Sequence, residues 1–322
     1  MTDRKLRVGL VGAGAIAQVA ELPALAAQPG LTIAGVVTKT GATARENVER
    51  WPIERAYDSF EDMLEAARLD ALFILTPKQS HTEFVVGALN FGLDVFCEKP
   101  LATTIADAQA MAEAAERTGK ILMVGFNRRY AEVYRRAHDE FAEQPPDFCV
   151  AQKNRVGSEY RATLENAIHM VDLMRWFCGE AESVAAHAVA HDPYAEEGTM
   201  ALIRFTTGSV GVLVASRSAG EWDERVDLYG GLRSVRVVVP DAVSVTAGGE
   251  TRTVEMRPRA NGWAEVNTTM GFGPEVEHFL DCVKERRQPL TDGREAVKTQ
   301  LLMEEILRAA GLPLEDRNEA TA

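Results

Sequence analysis

Cysteine is scarce in this sequence, and no residues are spaced as metal ligands usually are. The 322 residues include four cysteines, Cys97, Cys149, Cys178 and Cys282, and none of them forms a CxxC pair. Such wide separation argues against a disulfide framework and favours a reduced, cytoplasmic protein. The histidines are equally scattered, so we expect no metal site.

Basic residues and long apolar runs are also few. Lysine and arginine number 35 against 48 aspartates and glutamates, which gives a formal charge of −13. That balance argues against nucleic acid or an anionic membrane as a partner. No apolar run approaches the roughly 20 residues of a membrane span, and the N-terminal stretch lacks the long apolar core of a signal peptide. The remaining composition, 46% hydrophobic and 26% charged, is typical of a globular protein, and the length suits two domains.

The first part of the chain alternates apolar runs with helical segments. The apolar runs are LRVGLVGAG, LTIAGVVT, DALFILTP, DVFCEKP and KILMVGF. Continuous apolar runs indicate strands that are buried on both faces of a parallel sheet. Ser59 and Thr104 are candidate helix caps, and Pro23 should end or bend the helix after the first strand. We expect an α/β, doubly wound Rossmann domain over residues 1–123.

The pattern changes after residue 123. One long predicted helix, ATLENAIHMVDLMRWFCG, precedes a series of strand-like segments. These segments are ESVAAHAVA, GTMALIRFTTG, GSVGVLVASRSA, RVDLYGG, RSVRVVVP and AVSVTAG. Turns separate some of them, and two further predicted helices close the chain. We therefore predict an α+β domain over residues 124–322 with a large open, mainly antiparallel sheet.

The first glycine run has the form of a dinucleotide-binding loop. Residues 12–17, GAGAIA, follow a GxGxxA pattern between a predicted strand and a predicted helix. Gly12 permits the tight turn, and Gly14 lets the backbone approach a pyrophosphate. Ala15 and Ile16 open the helix, whose free N–H groups would face the phosphates. A glycine-rich turn without a ligand is the alternative, but this context favours a nicotinamide cofactor.

The segment after the second predicted strand bears on which cofactor binds. NAD sites carry an Asp or Glu about 20 residues past the glycines, on the ribose 2′-hydroxyl. Thr38 occupies that place, followed by Lys39 and Thr40, with Arg45 further on. Lys39 could pair with a 2′-phosphate, and the threonines could donate hydrogen bonds to it. NADP(H) is therefore favoured; the alternative is a solvated Lys39 and NAD(H) bound without an acidic clamp.

Two predicted strands end in residues that suit a ligand site. In open α/β sheets the ligand lies beyond the carboxyl ends of the strands. One strand ends in Thr76 and Pro77, and another ends in Glu98-Lys99-Pro100. An ammonium at such an end can hold or donate a proton beside a reacting oxygen. Lys99 is therefore a candidate acid–base residue, and the alternative is a solvated lysine in a turn.

Four motifs in this order closely resemble the Gfo/Idh/MocA oxidoreductase family. They are GAGAIA, TPKQSH (76–81), CEKPLA (97–102) and VGFNRRY (124–130), and the resemblance extends to HMVDLMRWFCG (169–179) and GFGPEVEHFLDCV (271–283). It implies a Rossmann domain, an open C-terminal sheet, and hydride transfer between a nicotinamide cofactor and a hydroxyl or keto carbon of a sugar, sugar nucleotide or cyclitol. A homodimer or homotetramer, paired through that sheet, is also expected.

The resemblance also gives roles to single residues. Lys99 would reach the substrate oxygen, and Pro100 would help to position its loop. Glu98 and Pro77 would lie near the nicotinamide, and His81 near the cofactor. Asn127, Arg128 and Tyr130 follow the last Rossmann strand, in a region that the family often uses close to cofactor and substrate.

A second acid–base group is predicted on the long helix. Glu165 and His169 are four residues apart, one turn on the same face of an α-helix, and Asp172 follows three residues later. A carboxylate beside an imidazole can orient the ring and raise its pKa. The family often carries D-x-x-x-H here, with the histidine as proton acceptor. Glu165 in place of Asp is a departure, so it would contact substrate rather than orient His169.

Other candidates rest on weaker patterns. Arg155, Tyr160 and Arg161 precede the helix and could bind hydroxyls, a phosphate or a carboxylate, or could form an exposed loop. Residues that could cover the site are Trp263, Asn267 and Phe272, while His138, His187, His191 and His278 read as structural. Two rival functions remain open: a reductase of a non-sugar carbonyl or imine, and a non-catalytic NADP(H) sensor.

Overall fold

Two units divide the chain. The computed structural model describes residues 5–157, 161–256 and 266–315, apart from the side chains of residues 266 and 267. One unit contains Met1–Asn127 and Gly271–Val297, and the second contains Arg128–Met270 and Lys298–Ala322. The sequence analysis instead places a single boundary after residue 123 and assigns everything beyond it to the second domain.

Strands and helices of the described residues are numbered in chain order. The strands are β1 (Leu6–Val11), β2 (Leu31–Val37), β3 (Ala56–Tyr57), β4 (Ala71–Ile74), β5 (Asp94–Cys97), β6 (Leu122–Val124), β7 (Phe148–Val156), β8 (Ala181–Val189), β9 (Gly198–Phe205), β10 (Val210–Ser216), β11 (Ser218–Gly230), β12 (Arg233–Val238), β13 (Ala242–Ala247) and β14 (Glu250–Glu255). The helices are α1 (Leu22–Ala26), α2 (Gly41–Arg50), α3 (Phe60–Ala66), α4 (His81–Phe91), α5 (Ile105–Thr118), α6 (Glu132–Asp139), α7 (Ile168–Cys178), α8 (Val266–Thr269), α9 (Phe272–Glu285) and α10 (Gly293–Ala309).

The first unit contains a six-stranded parallel sheet in the order β3-β2-β1-β4-β5-β6. β4, β5 and β6 are buried along their whole length, as expected for strands covered on both faces. The strand order reverses between β1 and β4, which is the switch point where such sheets bind ligands. The predicted Rossmann domain is confirmed.

Local signals begin and end the helices as the sequence predicts. The Ser59 hydroxyl accepts a 3.0 Å hydrogen bond from the backbone N–H of Asp62 at the start of α3, and Thr104 caps α5 in the same way. Gly92 and Gly119 end α4 and α5 with φ of 100° and 65°, a conformation that glycine adopts at little cost.

Pro23 does not end the helical segment after the glycine loop, which continues to Ala26. A π-helical turn over Ala17–Glu21 precedes α1, and the N–H of Leu22 donates to the carbonyl of Ala17, five residues back. Pro23 has no N–H, and its ring would clash with the carbonyl four residues earlier in a regular α-helix. The wider π turn accommodates both constraints, and such turns often occur at functional sites.

Residues late in the sequence complete the core of the first unit. Phe279 of α9 packs edge-on against Phe73 and Phe96, with ring centroids 5.2 and 5.8 Å away. The backbone N–H of Val124 in β6 donates to the carbonyl of Thr291 at 2.8 Å, and the Thr291 hydroxyl donates to the carbonyl of Val124. The segment after α9 therefore covers the edge of the sheet that β6 would otherwise leave unpaired.

The second unit contains an eight-stranded sheet in the order β14-β13-β12-β11-β7-β10-β9-β8. Its pairs are antiparallel except for β7 with β10, which run parallel. The mainly antiparallel sheet is as predicted. The sequence analysis, however, missed two strands, β14 and the central β7.

The predicted long helix before the sheet is interrupted. Residues Ala162–Asn166 form a π-helical turn, and α7 starts only at Ile168. Contacts with β7 and with the loop before β9 hold this turn. The N–H of Thr163 donates to the Glu196 carboxylate at 2.9 Å, and the Asn166 amide donates to the carbonyl of Lys153 at 3.1 Å.

Candidate active site

The carboxyl ends of four parallel strands meet at one edge of the first sheet. β1 leads into Gly12, β4 into Thr76 and Pro77, β5 into Glu98 and Lys99, and β6 into the turn that holds Asn127. The sheet therefore brings together the residues of the first unit that the sequence analysis assigns to the cofactor and to proton transfer.

The glycine loop fits a pyrophosphate. Gly12 has φ of 91°, and a Cβ atom there would lie 2.7 Å from the carbonyl oxygen of Leu75, so only glycine is accommodated. A Cβ atom on Gly14 would meet nothing within 4 Å. Gly14 is thus not required by packing, and the space beside it is what a closely approaching phosphate needs. Ala15 and Ile16 begin the helix beyond it.

The segment after β2 contains two threonines that form hydrogen bonds and one exposed lysine. The Thr38 hydroxyl donates to the carbonyl of Thr40 at 2.7 Å, and the Thr40 hydroxyl caps α2. Lys39 is exposed, and its side chain makes no hydrogen bond or ion pair within the described residues. Arg45 forms an exposed ion pair with Asp58 at 3.7 Å, so Lys39 is the more available cation.

His81 connects two of the strand ends. Its ring is 1% exposed. Nε2 lies 2.8 Å from the carbonyl oxygen of Thr76, and Nδ1 lies 3.0 and 3.2 Å from those of Pro100 and Leu101. Burial lowers the pKa of His81, although the three carbonyls favour the charged ring, and Lys78 lowers it further. His81 therefore joins the loops after β4 and β5, and its contact with the cofactor stays a prediction.

The loop after β5 is fixed through the Glu98 side chain. Glu98 is buried, and its carboxylate accepts a 3.0 Å hydrogen bond from the N–H of Lys99. A Cβ atom on Gly125 would lie 3.4 Å from that carboxylate, so glycine leaves room for it. The Lys99–Pro100 peptide bond is cis. The Lys99 side chain is half-buried, and the Asn127 side chain is buried.

Glu165 and His169 lie in the second unit but not on one continuous α-helix. Glu165 belongs to the π turn, and His169 lies in the first turn of α7, where it is mostly buried. Asp172 does not serve as the partner of the imidazole. Arg129 binds both of its carboxylate oxygens at 2.7 and 2.8 Å, and the Thr299 hydroxyl donates to it as well.

The predicted substrate residues of the second unit are largely buried. Arg128 binds Glu224 through two hydrogen bonds of 2.6 and 2.9 Å, and Tyr130 is buried. Arg161 is not an exposed loop residue, since it contacts Glu196 and the carbonyls of residues 313 and 315. The sequence analysis missed the buried Lys153 on β7, because that strand was not recognised.

Some predicted residues cannot be placed in the site. Tyr160 and Trp263 lie outside the described residues, as does the side chain of Asn267, and Phe272 is the first residue of α9. Among the described residues, no three His, Cys, Asp or Glu side chains form a metal-binding group. In that same part of the chain, no helix is long and apolar enough to cross a membrane.

Two models of one protein family together match residues 6–236 of the chain. The model described as an oxidoreductase family with an NAD-binding Rossmann fold matches residues 6–126. A second model, described as the GFO/IDH/MocA C-terminal domain, matches residues 114–236.

Curated relatives and solved structures give a consistent result. The protein YceM of Salmonella typhimurium, named as an oxidoreductase, is 30% identical over 95% of this chain and 99% of its own length. Inositol 2-dehydrogenase of Paracoccus denitrificans is 33% identical over 53% of this chain and 54% of its own length. Levoglucosan dehydrogenase, in a complex with NADH and L-sorbose, has a TM-score of 0.85 at 21% identity, covers 96% of this chain and 97% of its own, and shows a shared fold.

Proposed function

Since the chain belongs to the Gfo/Idh/MocA family of oxidoreductases, we propose that it transfers a hydride between a nicotinamide cofactor and a secondary hydroxyl or keto carbon of a sugar, sugar derivative or cyclitol. The observation that carries this proposal is that the carboxyl ends of β1, β4 and β5 lie side by side in the first sheet. There the glycine loop, with open space beside Gly14, lies next to the strand ends that hold Thr76 and Lys99. The relatives named as sugar and cyclitol dehydrogenases support the substrate class.

The proposed mechanism assigns proton handling to two residues. Bound nicotinamide would supply the acceptor or donor of the hydride. In oxidation His169 takes the proton of the substrate hydroxyl, and the ammonium of Lys99 stabilises the developing alkoxide. In reduction the same two residues act in the reverse order. Glu165 contacts the substrate, and Glu98 keeps the Lys99 backbone in place through its hydrogen bond.

We further propose a preference for NADP(H) over NAD(H). Thr38 offers a hydroxyl where a carboxylate would repel a 2′-phosphate, and Lys39 is exposed with no side-chain partner among the described residues. Titration of both reduced cofactors at matched ionic strength tests this preference. Lys39→Ala should weaken NADPH binding and leave NADH binding nearly unchanged. Tighter binding of NADH by the unaltered protein would refute the preference.

A homo-oligomer through the second sheet is part of the proposal. Met200 and Leu202 point away from the core on β9 and are 57% and 52% exposed. They pair in register with Val214 and Val212 of β10, so the apolar surface is continuous across two strands. Such a surface is typical of a protein interface. The four cysteines are free, buried thiols, which agrees with the proposed cytoplasmic location.

A spectrophotometric screen tests the function directly. Sugars, sugar phosphates, sugar nucleotides, sugar acids and inositols are offered with each cofactor, and nicotinamide absorbance is followed. Turnover of at least one hydroxyl or keto substrate is the expected result. Cofactor binding with no turnover of any compound would favour a sensor. Turnover restricted to imines or non-sugar carbonyls would favour the reductase.

A further inference from the structure

Three cationic side chains form a group at β7. Lys153 and Arg155 project from the core-facing side of β7, where Lys153 is buried and Arg155 is half-buried, and the buried Arg128 shares the partner Glu224 with Lys153. Lys153 of β7 and Glu224 of β11 stand opposite each other in register. Lys153 is 1% exposed, and its Nζ lies 3.0 Å from Oε2 of Glu224. Arg128 binds the same carboxylate with two hydrogen bonds, and the Tyr134 hydroxyl donates to it at 3.4 Å. The carboxylate of Glu224 is therefore fully engaged.

Arg155 is the third cation of this group. It lies two residues beyond Lys153, so both side chains project from the same face of β7. Its Nε atom is buried and has no hydrogen-bond partner, and its guanidinium forms no ion pair within the described residues. Buried guanidinium nitrogens are nearly always paired, because leaving them unpaired costs solvation energy. Arg155 is therefore a donor available to a ligand.

The lowered pKa of Lys153 also fits an anion-binding site. Burial lowers its pKa well below the usual value, Arg128 lowers it further, and Glu224 only partly opposes them. The pKa of Glu224 is held well below its usual value by Arg128 and Lys153, although burial alone would raise it. Arg128 and Arg155 both lower the pKa of Lys153, so the site has a positive potential that an incoming anion would offset.

These cations border the proposed catalytic turn of the same unit. Asn166 donates its amide N–H to the backbone carbonyl of Lys153 at 3.1 Å. Asn166 follows Glu165 directly and precedes His169 by three residues. A substrate that reaches His169 and Glu165 would thus have β7 as a neighbouring wall.

We propose that the substrate carries an anionic group, a carboxylate or a phosphate, and that Arg155 and Lys153 bind this group. The inference rests on the proposed function and narrows its substrate class to sugar acids and sugar phosphates. Arg155 provides the direct hydrogen bonds, since planar guanidinium groups match both anions. Lys153 stays paired with Glu224, and a bound anion would favour the protonated form of its amine.

The test compares substrates that differ only in charge. D-Glucose, D-glucuronate and D-glucose 6-phosphate form one matched set, and the galactose compounds form another. We expect the charged member of a set to have the higher kcat/KM. Arg155→Gln should lower kcat/KM for that member roughly ten- to hundredfold, mainly through KM, and leave the neutral sugar unaffected. The acid and the phosphate arms identify which anion is bound.

Matched controls keep the result interpretable. Arg136→Gln removes an exposed arginine of α6 in the same unit and should leave both kcat/KM values and anion binding unchanged. Calorimetric titration with D-glucuronate, D-glucose 6-phosphate and inorganic phosphate gives a readout that needs no turnover. Loss of anion binding in Arg155→Gln, with thermal unfolding unchanged, supports the inference. Lys153→Met is a second variant and should weaken the same binding.

The inference and the proposed function fail in different ways. Turnover of neutral polyols by the unaltered protein, with no turnover of their charged analogues, would overturn the anion site and leave the proposed function intact. No turnover of any compound would overturn the function. Anion binding that is equal in both proteins would overturn the inference whatever the activity.

Discussion

At the scale of single residues, His81 links two of the loops that follow the parallel strands. Its two ring nitrogens face three carbonyls from two loops, but a neutral imidazole has only one N–H to donate. The ring therefore joins the loop after β4 to the loop that carries Lys99. Sequence reasoning could place His81 near the strand ends, but the burial that makes it a clamp arises from tertiary packing.

Replacing His81 with Ala should destabilise the protein and slow its turnover. The free energy of unfolding should fall by roughly 1–3 kcal/mol, because carbonyl groups lose a buried donor. Urea unfolding with and without cofactor measures the effect. His187→Ala, which removes an exposed histidine on β8, is the control. An unfolding free energy equal to that of the control would show that the ring does not hold the loops.

Lys99 and His169 should each be needed for turnover but not for cofactor binding. Lys99→Ala and His169→Ala should lower kcat by about 100-fold or more, the usual contribution of an acid–base group. The Kd of the reduced cofactor, measured by fluorescence, should stay within a few-fold of the original. Lys5→Ala is the control, because Lys5 is exposed and lies at the amino end of β1, whereas the site lies at the carboxyl ends of the strands. Near-full turnover in either variant would remove that residue from the mechanism.

At the scale of secondary structure, the π turns and β7 mark where sequence patterns fail. Strand β7 carries Lys153 and Arg155 at positions that face the core, where alternation predicts apolar residues. The strand was missed for that reason. The spacing of Glu165 and His169 predicts one turn of an α-helix, but Glu165 lies in a π turn that is held by Glu196 and by the backbone of β7. Local rules broken in this way commonly indicate function.

The first π turn also buries a carboxyl group with a predictable effect on stability. Glu21 is fully buried, and neither of its oxygens has a hydrogen-bond partner within the described residues. Burial raises its pKa well above the usual value, and the nearby Glu98 adds to the rise. The folded protein therefore keeps this proton at pH values where the unfolded chain, with a pKa of about 4.3, has lost it.

Glu21→Gln should flatten the dependence of stability on pH. In the unaltered protein, the contribution of Glu21 is fully present below the unfolded pKa and is lost as pH rises toward the folded pKa. At neutral pH the variant should therefore be the more stable, by on the order of 1–3 kcal/mol, and the difference should shrink toward pH 4.5. Urea unfolding across this range measures it, with the exposed Glu46→Gln as control. Parallel curves for both proteins would contradict the buried proton.

At the scale of the whole molecule, the sequence predicts the parallel sheet and the mainly antiparallel sheet. It does not predict that α9 belongs to the first unit. Alternating apolar runs and helices predict the parallel sheet, because each βαβ unit is local in sequence. Nothing local indicates that Phe279 packs on Phe73 and Phe96, since these phenylalanines lie 206 and 183 positions earlier in the chain. The apolar face of α9 predicts burial but not which unit receives it.

Charging the outer face of the second sheet should dissociate the proposed oligomer. Met200→Glu combined with Leu202→Glu places two carboxylates on the apolar surface of β9, where burial at an interface would be strongly unfavourable. Light scattering coupled to size exclusion should then give the mass of one chain. Leu232→Glu alters a turn residue that is 99% exposed and should leave assembly intact. An unchanged mass for the double variant would place the interface elsewhere.

Residues 271–297 belong to the first unit but are synthesised late, which delays the completion of that unit on the ribosome. A ribosome releases the chain from its N-terminus, so all six parallel strands emerge long before α9 and Thr291. Until residues 128–270 have been made, Phe73 and Phe96 lack Phe279, and β6 lacks its edge partner. During that interval the nascent sheet exposes apolar rings and an unpaired edge, the features that invite aggregation and recruit chaperones. The cofactor-binding unit is therefore the first to begin folding but stays open through the synthesis of most of the second unit.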